Sequence, residues 1–312
     1  MKQITRIFMT LIVCIIMLMA NALTVQAQEC CEVAPGKQNS ATVPSKKVTS
    51  VEAKEFIAVN AFSQFSESKQ FIMAHEAPLP FTLAKTKGEL KSIPVAALGE
   101  TPSASANIYE VKQGKGDRVL LVFHEWWGLN DYIKRETEKF AEYLEGTTVI
   151  AVDLYDGVVA TTPEKASELM RSMKPERAKS IIQAVIQYAG ADVKIGTVGW
   201  CMGGSWSLQS AFIADAQAKA CVMYYGMPER NKERLQQLKA PVLGLFAKQD
   251  KFITPAIVGD FETTLEKSGK TVKIKMYDAD HAFANPSNPR YKKDDAEDAF
   301  NNAVEFLKQY LK

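Results

Sequence analysis

From residue 83 onward, short and nearly continuous apolar runs alternate with longer stretches of helical periodicity. Arg118–Phe123, Thr147–Val152, Val193–Val198, Ala218–Tyr225 and Pro241–Phe246 have the length and near-continuous apolarity of strands covered on both faces, and Thr271–Tyr277 reads as a further strand. Between them Asp131–Leu144, Pro163–Met173, Pro175–Tyr188, Ser205–Ala214 and Pro255–Ser268 read as helices, with Asp294–Leu311 as a closing amphipathic helix. Glu89–Ala97 and Ser105–Val111 predict an antiparallel start, and Gly114-Lys115-Gly116-Asp117 a turn. Strand–helix alternation of this kind predicts an α/β fold with a mostly parallel central sheet flanked by helices. Ligands of such sheets bind beyond the carboxyl ends of the strands. His124-Glu125, Asp153, Cys201, Asp250 and Asp280-His281 all fall there.

The first 82 residues follow a different pattern. Residues 1–27 combine basic Lys2 and Arg6, an apolar run from Ile7 to Leu23, and small residues at Val25 and Ala27, the layout of a cleaved secretory signal peptide. An uncleaved membrane anchor is the competing reading. Residues 28–82 form an extension. Gln28–Thr49 is polar and reads as a linker. From Val51 to His75, Phe56, Ile57, Phe62, Phe65, Phe71 and Ile72 recur at near-helical spacing, predicting one or two short amphipathic helices before Pro78 and Pro80. They would pack on the main domain, residues 83–312, or present a partner surface.

Composition narrows the function. The chain has 312 residues, 46% of them hydrophobic and 24% charged. Loss of Lys2 and Arg6 with the signal would bring the 38 basic residues level with the 36 acidic ones, which argues against a nucleic-acid or anionic-membrane partner. An exported (periplasmic or secreted) monomer acting on a small molecule fits this balance. Cys14 leaves with the signal. Cys30 and Cys31 stand near the mature N-terminus, where they pair with each other, pair with another chain, or sit free. Cys221 lies in an apolar run and reads as core. With no C-x-x-C and only three histidines, a structural zinc site is not expected, and neither is a cofactor.

The chemistry gathers at Gly199-Trp200-Cys201-Met202-Gly203-Gly204. Small residues flanking a nucleophile between an apolar strand and a helix form the nucleophile-elbow pattern, here with cysteine in the nucleophile slot. A buried cysteine in an ordinary glycine-rich turn would satisfy the same spacing. Two further residues favour the elbow. Asp250 follows the strand Pro241–Phe246, and His281 follows the last strand, so Cys201, Asp250 and His281 stand in the chain order nucleophile, acid, histidine. Otherwise Asp250 would be a helix N-cap and His281 a loop residue. His75 belongs to the extension and His124 to an earlier loop. An oxyanion hole needs backbone N–H groups where charge develops, and the N–H of Met202, at a helix N-terminus whose dipole also favours a thiolate, is one candidate.

Residues 83–312 resemble the dienelactone hydrolase family of α/β-hydrolases. The matching stretches are His124-Glu125-Trp126-Trp127-Gly128-Leu129, Asp153-Leu154-Tyr155, the elbow itself, Tyr224-Tyr225-Gly226 and His281-Ala282-Phe283. The resemblance implies an α/β-hydrolase fold. It implies that Glu125 pairs with the resting thiol and moves as substrate binds, and that the second oxyanion-hole N–H comes from Trp126. Trp127 and Tyr155 would line the substrate pocket, with Arg290 and Tyr291 as further candidates. Two slots depart from the family. Where relatives that open dienelactones carry arginines for the substrate carboxylate, this chain has Gly157 and Asn285. The expectation is therefore hydrolysis of a small ester or lactone through Cys201, His281 and Asp250, without metal, and with dienelactone itself a poor fit for want of the arginine clamps. A thiol-dependent acyltransferase or thioesterase, and a binding module with a relict site, are the alternatives.

Overall fold

The computed structural model describes residues 64–97 and 104–312. The signal peptide, the linker, Cys30, Cys31 and the extension up to Ser63 lie outside the described residues. Of the amphipathic stretch, helix α1 (Lys69–Ala74) is described.

Eight strands form one sheet: β1 (Glu89–Val95), β2 (Ala104–Val111), β3 (Arg118–Phe123), β4 (Thr148–Val152), β5 (Lys194–Trp200), β6 (Ala218–Tyr224), β7 (Val242–Ala247) and β8 (Val272–Tyr277). Their order is β1-β2-β4-β3-β5-β6-β7-β8. The two pairs made by β2 are antiparallel, and every pair from β4 to β8 is parallel. Expectation and structure agree on this α/β architecture.

The helices are α2 (Asp131–Tyr143), α3 (Pro163–Ser172), α4 (Pro175–Ala189), α5 (Met202–Ala214), α6 (Lys232–Leu235), α7 (Pro255–Lys267) and α8 (Lys293–Tyr310). Among the described residues no helix is long and apolar enough to cross a membrane. Side-chain caps start several of them. Asn130, Thr162 and Thr254 accept from Ile133 N, Lys165 N and Ile257 N, and Pro163 and Pro255 occupy first-turn positions where no N–H is needed.

Strands β3, β4, β6 and β7 are buried along almost their whole length, because helices cover both faces. Each fully buried Leu, Ile, Val or Phe contributes roughly 1.5–3 kcal/mol of transfer free energy. The edges look different. Pro94 sits in β1, where a missing N–H is tolerated, and Lys273 and Lys275 sit in β8.

Two boundaries near the site differ from the sequence expectation. β5 continues to Trp200, and α5 begins at Met202 rather than Ser205. Gly203 and Gly204 read as turn residues in sequence, yet they form the first turn of a helix pressed against the sheet. A Cβ on Gly203 would come closer than 3.0 Å to Phe123 O and His124 O, and one on Gly204 closer than 3.0 Å to Tyr224 O. The glycines permit close approach rather than breaking the helix.

Register brings the loops of the site together. Phe123 pairs with Gly199, Trp200 with Tyr224, Tyr224 with Leu245, and Ala247 with Tyr277. The segments after β3, β5, β6, β7 and β8 therefore leave the sheet side by side at one edge.

Candidate active site

Cys201 sits between β5 and α5 with φ 54° and ψ −122°. A non-glycine residue at positive φ is strained, and such strain persists only where the surroundings impose it. Here they do. Cys201 N–H donates to Tyr224 O at 3.0 Å, and Cys201 O accepts from Gly204 N–H at 2.9 Å. A Cβ on Gly199 would come closer than 3.0 Å to Gly203 O, so the strand and helix meet only because that residue is glycine. Met202 opens the helix, where the first N–H groups lack intrahelical partners. The loop 124–126 lies beside it, through the contact of Gly203 with Phe123 and His124.

Asp250 and His281 form a tight pair. Asp250 Oδ1 accepts from Phe252 N–H at 2.8 Å and Ile253 N–H at 2.9 Å. That turn leaves Oδ2 to accept the His281 Nδ1–H at 2.6 Å. The N-cap of α7 is Thr254, so Asp250 is not the helix cap. Burial alone would raise the Asp250 carboxyl, but the facing imidazole and the two backbone N–H groups hold it below its usual value. Burial pulls the His281 imidazolium down. The Asp250 carboxylate, with the Cys201 sulfur, outweighs this and lifts it well above its usual value. His281 Nε2 is buried and faces the Cys201 sulfur.

Burial dominates at Cys201. It raises the thiol above its ordinary value despite the pull of His281, and Glu125 adds to the rise. The helix dipole expected to favour thiolate does not prevail, because a fully buried charge costs more than one helix terminus returns. Burial likewise raises Glu125, to about 7, against the opposing influence of His281, Tyr225 and Asn285. Tyr225 O–H donates to Glu125 Oε1 at 3.3 Å, and Asn285 Nδ2–H donates to Oε2. His124 is neutral scaffolding: Nδ1–H donates to Glu125 O at 2.6 Å and Nε2 accepts from Leu154 N–H at 3.1 Å, tying the β3 loop to the β4 loop.

Sequence reasoning missed three contributors. Asn285, noted only as an absent arginine, holds Glu125 and is itself fixed by Ser287, whose N–H and O–H both donate to its Oδ1. Tyr225, at φ 37°, aims its hydroxyl at Glu125 and its ring at His281, 5.1 Å between centroids. His75, assigned to the extension, lies inside the site. Its ring centroid is 5.3 Å from that of His281 and 4.8 Å from that of Trp126, with Phe71 packed at 4.1 Å. An aromatic and a histidine four residues apart on a helix were the available signal.

These residues seal the nucleophile: Cys201 is 1% and His281 4% exposed. A narrow depression opens beside them, lined by Glu125, Trp127, Tyr132, Trp200, Tyr225 and Asn285 among others. Trp127 thus lies where a pocket residue was expected. Trp126 is instead buried against Phe71 and His75. Tyr155 does not line the depression. Its hydroxyl meets the Met202 sulfur at 3.4 Å. Arg290 lines a second hollow together with His281, Lys69 and Lys251, and Tyr291 lines a third. Gly157 turns at φ 91° and donates its N–H to Asp153, leaving no side chain at that slot.

Residues 106–311 match the family model described as the dienelactone hydrolase family. That stretch is about two thirds of the chain and contains Cys201, Asp250, His281 and Glu125. The chain belongs to the dienelactone hydrolase family. It is with that family a carboxylic ester hydrolase of α/β-hydrolase fold. "Protein usf" of Aquifex pyrophilus is 32% identical over 209 residues, spanning 63% of this chain and 90% of the relative. The carboxymethylenebutenolidase of Pseudomonas sp. (strain P51) is 26% identical over 211 residues, 63% of this chain and 86% of the relative. A Klebsiella pneumoniae crystal structure assigned as a dienelactone hydrolase superposes with a TM-score of 0.60 at 23% identity, covering 72% of this chain and 99% of that one. That likeness speaks for the fold. Helix α1 and its His75 precede the matched family stretch.

Proposed function

We propose that this hydrolase cleaves a small ester or lactone through a Cys201–His281–Asp250 triad and a thioester intermediate. The observation that carries the reading is the Asp250–His281 pair at 2.6 Å, set beside a cysteine in the strained elbow position. Substrate entry brings the Cys201 S–H proton to a base, and the sulfur bonds to the carbonyl carbon. Glu125, poised near neutrality, and His281 Nε2 are the two bases within the site. The N–H groups of Met202 and Trp126 receive the oxyanion. Collapse breaks the carbon–oxygen bond, and the departing alkoxide takes a proton from the His281 imidazolium. Water, deprotonated by the same nitrogen, then attacks the thioester, releases the acid and returns the thiol. Asp250 keeps the Nδ1–H in place, so that Nε2 faces the chemistry throughout.

Neither family arginine slot supplies a cation, and the lining of the depression includes no Lys or Arg, while Glu125 and Glu136 are present. An uncharged acyl group suits this depression better than the carboxylate of a dienelactone, whereas the hollow that His281 lines holds Lys69, Lys251 and Arg290. The N-terminal 27 residues carry the reading that the chain is exported, which the N-terminal residue of the mature protein would settle.

The test is hydrolysis of a small activated ester, with dienelactone as second substrate, by the wild type, Cys201→Ala and His281→Ala. The reading requires that both substitutions abolish ester turnover and that dienelactone is the poorer substrate. Full activity in Cys201→Ala overturns it.

A further inference from the structure

His75 creates an arrangement that the triad alone does not need. One ring nitrogen of His75, one of His281 and the Cys201 sulfur all lie within 4.8 Å of one another, and all three residues are buried. The Nδ1–H of His281 is committed to Asp250. The Nδ1–H of His75 is likewise committed to Phe71 O, at 2.7 Å. Both imidazoles therefore present a buried Nε2 to the cluster; that of His281 meets the Cys201 sulfur, and that of His75 makes no hydrogen bond. Two nitrogens and a sulfur thus converge in a buried space, with the His75 Nε2 left unpartnered.

We propose that His75, Cys201 and His281 bind one divalent ion of the zinc class, and that this ion holds the nucleophile silent. The donor set is one thiolate and two neutral imidazoles, which suits a tetrahedral borderline-soft ion with a fourth position left for water. Each histidine already has the outer partner that metal-bound imidazoles use, a carboxylate for His281 and a backbone carbonyl for His75. Zinc–sulfur and zinc–nitrogen bonds of about 2.3 and 2.0–2.1 Å place tetrahedral ligand atoms roughly 3.5 Å apart. The three groups need to draw in by about an ångström, which side-chain rotation supplies. Binding forms the metal–sulfur and metal–nitrogen bonds and releases to solvent the thiol proton and the Nε2 proton of the His281 imidazolium, which the Asp250 carboxylate favours. The expectation of no structural zinc site rested on the lack of a C-x-x-C and on the small number of histidines, and this set draws on residues 75, 201 and 281, far apart in the chain. Since α1 lies outside the family match, the site would be a property of this chain's extension. Binding does not depend on the reaction proposed above. The silencing does, because it requires Cys201 to be the nucleophile.

The probe is Co²⁺ added to the reduced mature chain, followed by the thiolate-to-cobalt charge-transfer band and the visible bands of tetrahedral cobalt. The proposal expects one equivalent bound, with Zn²⁺ bleaching the bands by displacement. His75→Phe keeps an aromatic ring against Phe71 and Trp126, and His75→Gln is a second variant in case the first disturbs packing. Each should weaken cobalt binding by about 100-fold or more, since even outer-shell changes cost 10–100-fold. Cys201→Ser should abolish the charge-transfer band, which excludes a site at Cys30 and Cys31. A wild type without the band at saturating Co²⁺ overturns the proposal, as does a band that survives Cys201→Ser, or unchanged affinity in both His75 variants. With an ester as reporter, Zn²⁺ should inhibit the wild type and leave whatever turnover the His75 variants retain. A band that forms in a protein without ester turnover leaves the metal site standing and removes the proposed reaction.

Discussion

Replacing Asp250 by Asn separates the orienting role of the carboxylate from its role in the turn. Oδ1 accepts from Phe252 N–H and Ile253 N–H, and an asparagine carbonyl oxygen in the same place would still accept both. The amide nitrogen then falls opposite His281 Nδ1. Two donors cannot face each other, so Nδ1 must give up its proton and accept, which puts the ring proton on Nε2. A neutral imidazole protonated at Nε2 cannot take a proton from Cys201, and the carboxylate that raised the imidazolium is gone. General acid–base catalysis is worth about 10²–10⁴-fold, so kcat should fall by that factor, about 3–5 kcal/mol of barrier. KM should change little, because Asp250 lies behind His281. The assay is steady-state ester hydrolysis across pH, with circular dichroism to verify the fold. A loss below about 10-fold with an unchanged pH profile would refute the orienting argument.

Three further outcomes follow from the same geometry. Glu125 has its ionisation raised from 4.5 to about 7, so the native state binds more protons than the unfolded chain between those values, and the stability contributed by this group declines as pH rises through that window. Glu125→Gln removes the titration. In urea unfolding its stability relative to wild type should improve by about 3 kcal/mol from pH 4.5 to 7, and a flat difference contradicts the assigned ionisation. Gly203→Ala should destabilise by about 1–3 kcal/mol although alanine is the better helix former, because its Cβ would press on Phe123 O and His124 O; a raised Tm would show that the close approach is unimportant. Phe71→Ala should loosen the cover formed by Phe71, His75 and Trp126 and speed alkylation of Cys201 by iodoacetamide, read by peptide mass, whereas an unchanged rate would mean that reagents reach the thiol by another path.

The sheet was legible because its information is local. Runs such as Val119–Phe123 and Val242–Ala247 are apolar throughout, and Cys201, Asp250 and His281 each stand just past a strand end, where the fold class places chemistry. The start of α5 was misjudged because glycine in a sequence does not say whether it serves flexibility or close approach. The strength of burial at Cys201 was invisible for a similar reason. The helix terminus is written in the motif, but desolvation comes from the surrounding side chains, among them Tyr225 and Phe71 of α1. Asn285 could be seen to lack a positive charge, but its bond to Glu125 joins positions 160 residues apart. His75 was the largest omission. The Phe71–His75 spacing marks a helical face, but not that this face folds onto a histidine 206 residues further along the chain.

The central claim is that Cys201 becomes acylated. The direct measurement is rapid-quench mass spectrometry of the reduced protein mixed with an activated ester, with the adduct located by peptide mapping. The account predicts a transient gain of one acyl group on the peptide containing Cys201, its absence in Cys201→Ala, and its slower decay in His281→Ala. Turnover of the ester with no adduct on Cys201 at any time, together with undiminished turnover by Cys201→Ala, would contradict it.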